Sequence, residues 1–181
     1  PSYGEIKTAR RVLTTTRLHV IIRPRGGDFL YSPLELERMA ADIDIARELG
    51  ADGVVFGCLR PDGSLDTEAN AMLMEHAKGL SVTFHRAFDR CADPRKALEE
   101  LIAQGFDRIL TSGQQPTALE GTPLLKELHE QANGRIILLA GCGVNEQNIA
   151  TIAQATAIHE FHFSARTAVK SKMMFSNPDV Y

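Results

Sequence analysis

Six short apolar or β-branched runs, at 18–22, 53–56, 80–84, 108–110, 136–139 and 159–163, alternate along this chain with longer stretches whose apolar residues recur every third or fourth position. The short runs are read as strands and the longer stretches as helices packed through one face. Ser2-Tyr3-Gly4-Glu5 has the spacing of a capping box and predicts a helix to about residue 11. Ser32-Pro33-Leu34-Glu35 is a second such box, and the helix after it carries Leu36, Met39, Ala40, Ile43, Ala46 and Leu49 on one side before stopping at Gly50. Further helices are expected over 67–78, from Asp93-Pro94 to Gly105, from Thr122-Pro123 to about residue 131, and from a cap at Asn145 to about residue 154.

Strand starts therefore fall roughly 23 to 35 residues apart, which is the layout of parallel βαβ units. A doubly wound sheet would need strands that are apolar on both faces. Here His19, Ser81, Thr83, Glu160 and His162 place polar groups within or at the ends of the runs. A TIM-type (β/α)8 barrel, at about 30 residues per unit, fits both the spacing and the polar positions. Six units are two short of closure and the chain opens at a helix cap, so the expectation is one incomplete barrel domain over 1–181 with its first two strands missing. Unpaired edges of that kind would also favour swapping or homo-oligomer formation.

Composition adds exclusions. An apolar fraction of 44% in 181 residues is enough for a sizeable core, and a net charge of −3 with interspersed signs points away from nucleic acid and from an anionic membrane surface. No apolar run approaches the roughly 18 residues of a membrane span. Cys58, Cys91 and Cys142 form an odd set without a CxxC pair, which predicts free thiols and a reducing, cytoplasmic setting. No nucleotide cofactor is expected.

In a barrel of this kind the loops after the strands meet at one mouth, where chemistry is found. Five polar sets fall there: Arg23/Arg25/Asp28, His85/Arg86/Asp89, Thr111/Ser112, the Gly141-Cys142-Gly143 turn, and His162/Ser164. Arg23, Arg25 and Arg86 could hold an anion through guanidinium forks, or pair with Asp28 and Asp89 in surface turns. Gly141 and Gly143 precede a helix start and could cradle phosphate, or could serve a tight turn alone. His85 could be a general acid or base with Asp89 or Glu160 orienting it, or a structural histidine bonded to backbone. Thr111, Ser112, His162 and Ser164 complete the substrate-binding candidates. For a metal, no two of His85, Asp89, Cys142 and His162 stand at a diagnostic spacing, so the ligands are left unassigned. His19, His76 and His129 are read as solvated or capping.

Ile21-Ile22-Arg23-Pro24-Arg25-Gly26-Gly27-Asp28-Phe29, Val82-Thr83-Phe84-His85-Arg86-Ala87-Phe88-Asp89, Arg108-Ile109-Leu110-Thr111-Ser112-Gly113, Ala140-Gly141-Cys142-Gly143-Val144 and His162-Phe163-Ser164-Ala165 resemble, in the same order, the CutC copper homeostasis family. The resemblance spans nearly the whole chain. It implies an α/β barrel, a cytoplasmic location and copper(I) binding or buffering, with two further strand units before Ser2 that carry the cysteines proposed to bind copper in relatives. None of those ligands transfers to a residue of this chain. Beside it stands the reading of the residues themselves: a barrel enzyme acting on a small phosphate- or carboxylate-bearing substrate.

Overall fold

Parallel strands with helices between them account for nearly all of the regular structure in the computed structural model, which describes residues 1–175 and 177. In chain order these are α1 (Tyr3–Val12), β1 (His19–Ile21), α2 (Pro33–Glu48), β2 (Gly53–Phe56), α3 (Thr67–His76), β3 (Ser81–Phe84), α4 (Pro94–Gln104), β4 (Arg108–Thr111), α5 (Thr122–Ala132), β5 (Ile137–Gly141), α6 (Ile149–Thr156) and β6 (Glu160–His162). A single 3-10 turn, Phe88–Arg90, follows β3.

Both capping boxes form as read from sequence. The Ser2 and Ser32 hydroxyls accept from the Glu5 and Glu35 amides, and each glutamate reaches back to the serine amide. The last helix starts later than expected. Asn145 does not cap it; its side chain accepts from the Gln147 amide, and the helix begins only after Asn148. Asn148 in turn accepts from the Asn145 amide and donates to the Gly143 carbonyl, so the two asparagines build a turn that delays the helix.

The six strands pair in sequence order, β1-β2-β3-β4-β5-β6, all parallel. Matched register, with Val54 opposite Val82, and Ile109 opposite Leu138, sorts the side chains into two faces. Val20, Val54, Phe56, Val82, Phe84, Ile109, Leu138 and Ala140 are buried against the helices and form the main core with Met39, Ile43, Leu73, Leu98, Leu101, Leu125, Leu128 and Ile152. The opposite face carries His19, Ile21, Val55, Thr83, Arg108, Leu110, Leu139, Glu160 and His162. Since these come from the first strand through the last and line one cavity, the sheet must curl toward itself as a barrel wall does. No pairing joins β6 to β1 among the described residues, so the wall is open along two edges. The α/β-barrel layout expected from the alternation of strand faces is the one observed. After β6 the chain runs without regular structure through Phe175, and Met173 and Met174 are exposed in that tail.

Candidate functional site

The concave side of the sheet encloses a cavity of about 530 Å³. Its apolar wall is Ile21, Val55, Leu110 and Leu139, and its polar groups are His19, Thr83, His85, Arg108, Glu160 and His162. Arg108 and Glu160 satisfy one another through two hydrogen bonds, at 2.7 and 3.3 Å, and Arg108 also donates to the Ser81 hydroxyl at 2.9 Å. His19, expected to be solvated, faces this cavity instead. Its ring lies over Gly53, where an added Cβ would stand 2.6 Å from two ring atoms. Partial burial and the positive charge of Arg108 lower its pKa.

His85 is the cavity's one buried imidazole, at 3% exposure. It follows β3 directly, its amide donating to the Phe56 carbonyl as an extension of the ladder. The approach is tight: a Cβ on Gly57 would fall 2.8 Å from the Phe84 ring and 3.0 Å from His85 Nδ1, so glycine is required there. Phe29 packs on the imidazole with ring centroids 4.8 Å apart, and the Arg23 guanidinium stands 4.7 Å from the centre of the Phe29 ring.

The protonation of His85 follows from its contacts. Nδ1 accepts from the Ala87 amide at 3.3 Å, so the ring proton belongs on Nε2. Nε2 is buried and without a partner among the described residues. Burial, and secondarily the charge of Arg23, push the imidazole pKa down to about 4. His85 is therefore neutral at physiological pH, with its lone pair already engaged and an N–H free to donate. In that state the imidazole offers a hydrogen-bond donor, a capacity suited to an oxygen of a ligand.

Asp89 does not orient His85. The 3-10 turn swings it toward the β4 loop, where its carboxylate, with the side chain 6% exposed, pairs with Arg86 Nε at 2.6 Å. It also accepts from the Thr111 hydroxyl at 2.6 Å, the Ser112 amide at 3.0 Å and the Gln114 amide at 3.2 Å. Arg86 Nη2 closes the set by donating to the Ser112 hydroxyl at 3.0 Å. Arg86, Asp89, Thr111 and Ser112 are thus brought together, as one network tying two loops.

The other candidates are dispersed. Arg23 donates to the Gly27 carbonyl, while Arg25 is bound to Asp28 and the Leu30 carbonyl of its own loop and to Glu35 in the first turn of α2. Gly141 brings its backbone against the Leu110 side chain and the His162 Cβ, and Gly143 packs on Thr117 at a φ of +71°. Between them Cys142 donates its S–H to the Pro116 carbonyl at 3.0 Å. His162 lines the cavity and Ser164 is exposed just beyond β6. Sequence reading missed Phe29, Gly57 and the Arg108–Glu160 pair. Arg108 and Leu110 in β4, and Glu160 and His162 in β6, each stand at the i, i+2 spacing of one strand face, the signal that would have placed Arg108 and Glu160 on the same side of the sheet.

The CutC family model matches residues 1–167. The chain belongs to the CutC family. A CutC protein of Bacteroides fragilis is 68% identical over 180 residues, covering 99% of this chain and 72% of that protein. The human copper homeostasis protein cutC homolog is 48% identical over 180 residues, 99% of this chain and 66% of the human protein. Among solved structures, CutC of Streptococcus agalactiae superposes with a TM-score of 0.86 at 40% identity, over 90% of this chain and 80% of that one. Deoxyribose phosphate aldolase of Aeropyrum pernix superposes at 0.65 with 17% identity, over 88% of this chain and 68% of that one, a likeness of fold alone.

Membership in a copper homeostasis family calls for testing the donor set of this CutC chain. Cys58, Cys91 and Cys142 are free thiols on the loops after β2, β3 and β5. Burial pushes the Cys58 and Cys91 thiols up to about 12, nearby aspartates adding to it, which disfavours the thiolates that copper(I) selects. Among the described residues no three His, Cys, Asp or Glu side chains gather where they could hold a metal ion. The residues described do not fit a copper centre of that kind. No described helix is long and apolar enough to cross a membrane.

Proposed function

We propose that this CutC-family chain binds a small carboxylate- or phosphate-bearing molecule against the concave face of its sheet, as the substrate of a barrel enzyme or the ligand of a carrier. The observation that carries the reading is the buried, unpaired Nε2–H of His85 at the wall of the cavity. A buried donor without an acceptor costs roughly 1–3 kcal/mol, a cost that an incoming ligand oxygen would relieve. Arg23, stacked on the Phe29 ring that packs on His85, supplies a positive charge nearby. His162, which lines the same cavity, is the further contact of this proposal; Thr111 and Ser112 are fully buried and hold the loop of Arg86 through Asp89. Arg25 is left as a brace of its own loop.

Thermal unfolding in the presence of sugar phosphates and short-chain carboxylates tests it. Saturating ligand, at about one hundred times its Kd, should stabilise the parent by about 2.7 kcal/mol. The gain should vanish in Arg23→Ala and His85→Phe. Equal stabilisation of parent and variants would remove the site.

Copper(I) buffering in the cytoplasm is the second reading, favoured by family membership and by the three unpaired thiols. An anaerobic titration against a chromophoric copper(I) chelator separates the two. On the first reading the parent and a variant with Cys58, Cys91 and Cys142 all replaced by serine compete alike. A tenfold or greater loss of affinity in that variant would establish thiolate binding and favour the second.

A further inference from the structure

A second cleft lies at the rim, apart from the concave cavity, and none of its charged groups enters the network around Asp89. About 610 Å³ in volume, it is bounded by the loops after β1, β2 and β3. Its apolar floor is Phe29, Leu30, Leu59 and Pro61, and two guanidinium groups, Arg60 and Arg90, stand at its walls. The loops are fixed relative to one another by backbone bonds: Leu59 donates to the Phe29 carbonyl at 2.9 Å, and Ala92 to the Gly63 carbonyl at 2.9 Å. Gly63, at a φ of +80°, lets that second contact close, since a Cβ there would stand 3.2 Å from the Ala92 nitrogen. The walls are therefore set before any ligand arrives, which lowers the entropy cost of binding.

The charges of this cleft are unequally spent. The Arg90 guanidinium makes no hydrogen bond or ion pair with another described residue, and the nearest carboxylate paired with the Arg60 guanidinium is that of Glu68, 3.8 Å away and 91% exposed. An exposed pair of that length contributes little. The carboxylates nearby have closer partners: Asp28, which lines the cleft, pairs with Arg25 at 2.9 Å, and Asp62, outside the lining, accepts from the Ser64 amide and hydroxyl at 2.9 and 2.7 Å. Two free guanidinium forks over an apolar floor match one ligand chemistry, a doubly charged oxyanion carried on an apolar or aromatic body.

We propose that the cleft between Arg60 and Arg90 is a binding site for a phosphate monoester with an apolar body. The guanidinium groups take the phosphate, and Phe29, Leu30, Leu59 and Pro61 take the body. Phe29 also packs on His85, so this site shares a wall with the concave cavity while using different charges.

Calorimetric titration of the full chain with phenyl phosphate tests the proposal, with inorganic phosphate and phenol as the separate halves of that probe. Phenyl phosphate should bind more tightly than either half, and more weakly as salt is raised. Its affinity should fall at least tenfold in the Arg60→Ala/Arg90→Ala double variant and stay unchanged in His85→Phe, which removes the donor of the concave cavity. Both arginines are exposed, and an unaltered far-ultraviolet circular dichroism spectrum would establish that the double variant is folded. Absence of saturable binding to the parent overturns the proposal, as does equal affinity of parent and double variant. Loss of binding in His85→Phe alone would move the ligand to the concave cavity and equally overturn it, while leaving the reading of that cavity intact.

Discussion

Between pH 7.5 and pH 5 the parent protein should lose about 2 kcal/mol of folding stability through His85 alone, and the His85→Gln variant should lack that component. The imidazole titrates near 6.5 in the unfolded chain and near 4 in the folded one. Between those values the unfolded state binds the additional proton, so acidification favours unfolding. The contribution is complete above 6.5, declines as pH falls toward 4, and amounts in full to about 3 kcal/mol. Glutamine retains an N–H donor near the position of Nε2 but carries no titratable group. Carboxylates held low in the folded state, Asp52 by the Leu18 amide and Arg10 and Glu35 by the Ser32 amide and Arg25, also lose stabilisation in acid. His19 acts in the same direction as His85. These groups are common to parent and variant, so the difference between two urea-unfolding series isolates His85. Parallel pH dependences would refute a neutral, buried imidazole; a His85 proton resonance that stays constant down to pH 5 would support one independently.

That expectation bears on what kind of site a barrel wall can be. Were His85 to titrate near 6.5, it would be poised for proton transfer. Held neutral with Nδ1 engaged, it is poised to polarise or anchor an oxygen without exchanging its proton. The same burial that weakens its acid/base capacity leaves its N–H unsolvated, which strengthens the bond it can make. One environment thus disfavours one role and favours the other.

Strand alternation was the most legible property of this sequence. Glu160 and His162 share parity, as do Ser81 and Thr83, and the structure turns each of these pairs onto the concave face, with the apolar positions between them facing the helices. Parity is local: it depends on the pleat, and nearly any strand of this length obeys it. The partner of Asp89 was not legible. Four positions from His85, it reads as that residue's orienter, yet the intervening 3-10 turn redirects it to groups 22 to 25 residues further along the chain. Only the docking of two loops decides that, and no spacing encodes it. The displaced start of α6 has a similar cause. Two asparagines three residues apart compete for the capping role, and their mutual hydrogen bonds, not propensity, settle which of them precedes the helix.

The loop junction makes the strongest demand on a single side chain. Replacing Asp89 with alanine should destabilise the fold by about 3–5 kcal/mol, lowering the midpoint of thermal unfolding by about 6 to 20 °C. The carboxylate is nearly enclosed, at 6% exposure, and its removal strips the Thr111 hydroxyl, the Ser112 amide and the Gln114 amide of their acceptor. Each buried donor so orphaned costs about 1–3 kcal/mol, and not all of them can find water at a junction of two packed loops. Gln114 adds to the effect. It holds a left-handed backbone at a φ of 57°, a conformation that a non-glycine residue keeps only while its surroundings impose it, and the bond from its amide to Asp89 is one of those constraints. The released Arg86 is 41% exposed and contributes less, because water solvates it. Asp89→Asn separates shape from charge: it keeps one acceptor oxygen while presenting an amide to the remaining donors, and should recover only part of the loss. If Asp89→Ala unfolded within about 1 kcal/mol of the parent, the junction would have to be held by the contacts of Gln114 with the Phe88 and Cys91 carbonyls, and the carboxylate would be free for a role at the ligand instead.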